Sequence, residues 1–156
     1  MFHPAAVWIV VVGTVFGSAS LAAEPPTPDD TAAADREKLQ GSWLLVYHLF
    51  NGKEVDDSKK DTILSFEGFA FTIRVGEDTI EKGVFKEVGA NKSPKTFVYV
   101  PTEVKGEAVE RSYPAIYLLQ DDVFIACVGY VGKRPAAFSA EDNSSNELVI
   151  YKRVKQ

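Results

Sequence analysis

The stretch LQGSWLLVYHLF (residues 39–50) sets a Gly two residues ahead of a Trp and then runs through an almost unbroken apolar series. Side chains of a strand alternate between two faces. If Trp43 points inward, Leu45, Tyr47 and Leu49 share its face and His48 turns to the outside. A slip of one residue would reverse every one of these assignments. The same period of two is clearer downstream, where Phe69, Phe71, Ile73 and Val75 alternate with Ala70, Thr72 and Arg74. That pattern describes a strand with one buried face.

Working outward, strands are expected near residues 42–50, 62–67, 69–75, 79–88, 96–101, 108–119, 123–131 and 147–154. Gly-, Pro-, Asn- and Asp-rich pieces separate them, among them EG, GED, GANKSPK and QDD. Such residues form turns for distinct steric reasons. Eight strands with mostly short links predict an all-β fold, an eight-stranded antiparallel up-and-down barrel, because closure removes the exposed sheet edges. Ahead of it, Asp30 or Thr31 caps a short helix that runs to Leu39, and Gly41 stops it. With Leu39 as its one large apolar residue, this helix covers an end of the barrel and builds no core of its own.

A chain of 156 residues with 46% hydrophobic and 25% charged residues accommodates one globular domain. Its net charge of −5, with no clustering of Lys and Arg, argues against nucleic acid as a partner. Residues 1–22 read as a signal peptide: Ala5 to Ala22 carries no charge and ends in the small residues Ser20 and Ala22. The expected organisation is therefore a signal peptide over 1–22, a tether and short helix over 23–38, and the barrel over 39–156. Export to the periplasm or the exterior follows, with membrane attachment only through an uncleaved signal. Against cleavage stand the leading MFHP, which lacks the usual Lys or Arg, and a run of roughly 18 apolar residues, long enough to anchor as a membrane helix.

Gly41-Ser42-Trp43 after a short helix resembles the G-x-W signature of lipocalins, whose Trp plugs the closed end of the barrel. The segments LQGSW, FEGFAFTI, EKGVFK, AIYLLQDDVFIAC, RPAAFSA and LVIYKR, spread from Leu39 to Arg153, resemble a lipocalin-like domain family known chiefly from planctomycete bacteria and carried behind a signal peptide. Ala115 and Asp121-Asp122 depart from that family's glycines, and the T-D-Y segment of true lipocalins is missing. The resemblance implies the barrel fold and brings no activity with it. It also implies that Arg153 or Lys152 lies across Trp43, closing the barrel as the closing Arg does in lipocalins.

No catalytic constellation has an anchor in the sequence. After removal of residues 1–22 the chain keeps one His, His48, and one Cys, Cys127, and it has no G-x-S-x-G. The acid pairs Asp29-Asp30, Asp56-Asp57 and Asp121-Asp122 fall in turn segments, and AEDNSSNE lacks the glycine of a calcium loop. The expectation is a protein that is not an enzyme and takes no cofactor or metal.

The interior is what remains. Parity places Trp43, Tyr47, Phe66, Phe71, Phe85, Tyr99, Tyr117 and Phe124 along the barrel lining, with Phe69 and Phe97 beside them. Aromatic walls with a few hydroxyls suit a small apolar or amphipathic ligand and suit a filled core equally. Two readings stay open. One is a secreted binder with a continuous cavity of at least roughly 300 Å³. The other is an envelope or extracellular interaction domain, with a filled barrel, an envelope protein as partner, and Val98, Val100, Ile116 and Leu118 as an exposed apolar patch.

Overall fold

The computed structural model describes residues 28–56 and 61–155. The expected signal peptide, its cleavage site and the start of the tether lie outside the described residues. Helix α1 spans Pro28–Leu39, with Asp29 and Asp30 in its first turn and Arg36 and Lys38 in its last. That charge order complements the helix dipole.

Ten strands follow: β1 (Gly41–Phe50), β2 (Lys53–Glu54), β3 (Thr62–Glu67), β4 (Ala70–Val75), β5 (Asp78–Gly89), β6 (Lys95–Val104), β7 (Glu107–Ala108), β8 (Tyr113–Gln120), β9 (Val123–Gly129) and β10 (Asn146–Arg153). Strands β2 and β7 are two-residue ribbons on β1 and β6. The other eight are paired antiparallel around a ring, and β10 meets β1 to close it. The chain is therefore the eight-stranded antiparallel barrel with a preceding helix that the alternation predicts.

Of the register shifts in the barrel, in β1, between β4 and β5 and at two places between β5 and β6, two bear on the interior. In β1, Leu45 pairs with Tyr151 and Tyr47 with Ile150, so Val46 is an extra residue without a partner. This β-bulge reverses the parity beyond it. His48 then pairs with Val149, which faces inward, and Tyr47 pairs with the outward Ile150. The expectation of Tyr47 inside and His48 outside is corrected on both counts. The second irregularity is at Gly83, where a Cβ would sit 2.4 Å from the Val100 carbonyl oxygen and 2.5 Å from the Phe71 ring. Only glycine lets Phe71 lie across β5 at that point.

One end of the barrel is sealed by α1 and aromatic packing. Trp43 is completely buried and donates from Nε1 to the Leu39 carbonyl at 2.8 Å. Arg153 stacks on it, with the guanidinium carbon 4.1 Å from the ring centroid. The same guanidinium donates to the carbonyls of Lys38 and Gln40, the acceptors that a helix end leaves open. Gln40 exchanges two 2.9 Å hydrogen bonds with the backbone of Gly68, fastening the β3–β4 turn to the helix. Asp35, 3% exposed, accepts from Lys95 Nζ at 2.6 Å and from the Tyr117 hydroxyl at 2.7 Å.

The long segment after β9 covers part of the outer wall. Cys127 donates its thiol to the Ser139 carbonyl at 3.3 Å, and its cross-strand partner Ile116 is 1% exposed. Ile116 thus does not belong to an exposed patch; Val98 and Val100 are half-buried, and Leu118, at 39%, is the most open of that set.

Candidate functional site

A cavity of about 230 Å³ occupies the barrel at the end opposite Trp43. Its floor is aromatic. Phe71 stacks on Tyr99 with centroids 5.1 Å apart, and Phe85 stacks on Phe97 at 4.1 Å. Phe124, which also lines the cavity, lies 6.1 Å from Trp43 and separates the indole from the open space. Of the expected lining residues, Phe71, Phe85, Tyr99 and Phe124 border the cavity. Trp43, Phe66 and Tyr117 pack the sealed half below it, and Tyr47 is outside. Arg153 lies across Trp43 at the sealed end.

The upper wall is polar, and alternation delivers it. In β5 the inward series Phe85, Gly83 continues to Glu81; in β10 the inward series Tyr151, Val149 continues to Glu147. The β1 bulge adds His48. Glu147 is held by His48 and a phenol, and Glu81 by a second phenol. His48 Nε2 lies 2.8 Å from Glu147 Oε1, and the Tyr130 hydroxyl donates to Glu147 Oε2 at 2.6 Å. The Tyr99 hydroxyl donates to Glu81 Oε1. Tyr113 packs edge-on against Tyr130 at 4.6 Å, and the partly exposed Phe50 packs against Tyr130 from the rim at 6.0 Å.

Burial is the main reason the Glu81 carboxyl sits above its usual range; the Tyr99 hydrogen bond partly opposes this and the Glu147 charge adds to it. The Tyr99 and Tyr130 phenols are pushed far above theirs, first by burial and then by the neighbouring Glu81 and Glu147 charges respectively. Both therefore remain donors at any physiological pH. Cys127 is buried on the outer face beneath the 130–145 segment, and burial raises its thiol as well, which removes the thiolate that reactivity requires.

Sequence reasoning missed His48, Glu81, Tyr130 and Glu147. The two glutamates carry a usable signal, since each continues an inward series by two or four residues. His48 carries none, because the bulge that turns it inward leaves no mark in the apolar pattern. Among the described residues, no three His, Cys, Asp or Glu side chains converge as a metal-ligating group. Among the described residues, the lining carries two carboxylates and one imidazole and includes neither Lys nor Arg. Compared with known proteins, the chain matches no protein-family model, no curated protein and no solved structure.

Proposed function

We propose that the chain is an exported lipocalin-like binding domain whose barrel takes one small amphipathic ligand through its open end. The observation that carries this reading is the division of the barrel: one half packed solid against α1, the other enclosing a 230 Å³ cavity with an aromatic floor and a polar wall. A filled core gains little from two glutamates, a histidine and two tyrosines turned inward, since burying charged groups carries a desolvation cost that apolar packing of the same volume avoids. Export is supported by the uncharged Ala5–Ala22 segment and its Ser20-Leu21-Ala22 ending.

Calorimetric titration of the folded chain with small monocyclic amphiphiles tests the binding reading. Saturable binding at micromolar Kd, about −8 kcal/mol, with a negative heat-capacity change is expected. Val128→Phe, which adds a ring to the cavity wall, should abolish it. The competing reading, an interaction domain that acts through its outer face, draws on a cavity smaller than the roughly 300 Å³ at which ordinary ligand sites begin. A folded protein that ignores every amphiphile would decide for that alternative.

A further inference from the structure

The sign of the cavity's charge selects a ligand class. We propose, resting on the binding reading above, that the cavity receives a small organic ammonium compound, its cationic head between Glu81 and Glu147 and its apolar body against Phe71, Phe85 and Tyr99. Three observations converge on this.

First, the charge of the lining is one-sided. Glu81 and Glu147 supply two carboxylates, His48 contacts one of them at 2.8 Å, and among the described lining residues there is no Lys or Arg. They are close enough that the Glu147 charge acts on Glu81. An anionic amphiphile such as a fatty acid would bring a third negative charge into a semi-enclosed, low-dielectric space, where like-charge juxtaposition costs several kcal/mol. A neutral ligand would displace water from the carboxylates and return at most a single hydroxyl hydrogen bond, with no opposite charge. An ammonium replaces that water with charge-assisted hydrogen bonds.

Second, the acceptors are prepared. Each carboxylate oxygen has two lone-pair directions. Tyr99 engages one on Glu81 Oε1, while His48 and Tyr130 each engage one on Glu147. The carboxylates are held in place from β1, β6 and the end of β9 and keep further lone pairs for N–H donors. Such preorganisation lowers the ordering cost of binding.

Third, the walls and the size suit an organic cation. Ring faces attract a desolvated ammonium, and Tyr99 and Phe71 stack within 14° of parallel beside Glu81. The 230 Å³ corresponds to about eight liquid waters, room for one ring and a short arm and too little for a long acyl chain.

The experiment uses three near-isosteres as probes: 2-phenylethylamine, 2-phenylethanol and 3-phenylpropionate, titrated calorimetrically into the full chain at neutral pH. The amine should bind at least about tenfold more tightly than the alcohol, and the acid should show no saturable heat. Glu81→Gln and Glu147→Gln preserve shape and should each weaken amine binding about tenfold while leaving the alcohol within a factor of about two. If the alcohol or the acid binds as well as the amine, the cavity is a binding site and the ammonium assignment is overturned. If the Gln variants, folded by near-UV circular dichroism, bind the amine as the parent does, the assignment is likewise overturned. If none of the probes binds the folded parent, the assignment falls; only failure of the wider amphiphile panel removes the binding reading as well.

Discussion

The two halves of the barrel solve opposite problems with the same aromatic residues. In the sealed half, Trp43, Phe66, Tyr117 and Phe124 touch one another or the helix, and the polar atoms there are spent on locking: Trp43 to Leu39, Arg153 to the helix end, Asp35 to Lys95 and Tyr117. In the open half, Phe71, Phe85 and Tyr99 border empty space, and the polar atoms hold carboxylates that face it. The first arrangement maximises stability. The second gives some of it up, as sites commonly do. Substitutions should therefore destabilise the sealed half strongly and the open half weakly or in the opposite direction.

The largest effect belongs to Trp43→Ala. Its side chain is fully buried and holds Leu39, Phe124 and Arg153 together. A loss of roughly 3–5 kcal/mol in urea unfolding is expected, the range for large aromatic truncations that leave a cavity. A loss under about 1 kcal/mol would mean that the helix does not depend on the indole.

Arg153→Ala comes next. It removes the stacking on Trp43 and the donors to the Lys38 and Gln40 carbonyls, and should cost about 2 kcal/mol. Arg74, exposed on the outward parity of β4, is the control, and Arg74→Ala should stay within about 0.5 kcal/mol. Equal, small shifts in the two unfolding midpoints would sink the idea that Arg153 closes the barrel.

In the open half the sign reverses. The folded-state pKa of Glu81 lies above its ordinary value of 4.5, so the fold prefers the protonated form. The stability this contributes is fully present below pH 4.5 and is lost as pH rises through the raised value. Glu81→Gln keeps an acceptor for the Tyr99 hydroxyl and carries no charge. It should raise neutral-pH stability by about 0.5–1 kcal/mol, the common yield of relieving a functional site, and the gain should shrink at pH 4. An equal gain at both pH values, or a loss at neutral pH, contradicts the assignment of burial as the cause.

The same contrast explains what the sequence discloses. Alternation at Phe69–Val75, turn pairs such as Glu67-Gly68 and the Gly-x-Trp entry announce the barrel, because period and turn chemistry are local properties. Phe71, Phe85, Tyr99 and Phe124 were legible as interior for that reason. Which aromatic residues pack and which border a cavity was not, since the answer depends on α1 filling one end alone. The covering of Ile116 by the segment after β9 is likewise a tertiary event with no periodic signature. The polar cluster draws on β1, β5, β6 and β10, and pairs such as His48 with Glu147 are 99 residues apart in the chain.

The smallest expected effect tests the bulge that turns His48 inward. Val46 is 46% exposed and has no partner in β10, whereas Leu45 and Tyr47 on either side are paired. Deleting it joins an inward Leu45 to an outward Tyr47 and an inward His48, which is ordinary alternation. The deletion should therefore keep His48 against Glu147 and cost no more than about 0.5 kcal/mol, as for an exposed side chain without a packing role. A double-mutant cycle between His48→Ala and Glu147→Gln, run with and without Val46, measures whether the contact survives. Bulges also sharpen strand twist. If the deletion costs as much as Arg153→Ala, or abolishes the His48–Glu147 coupling, the extra residue is needed to bend β1 around the cavity mouth as well as to set which side chains enter it.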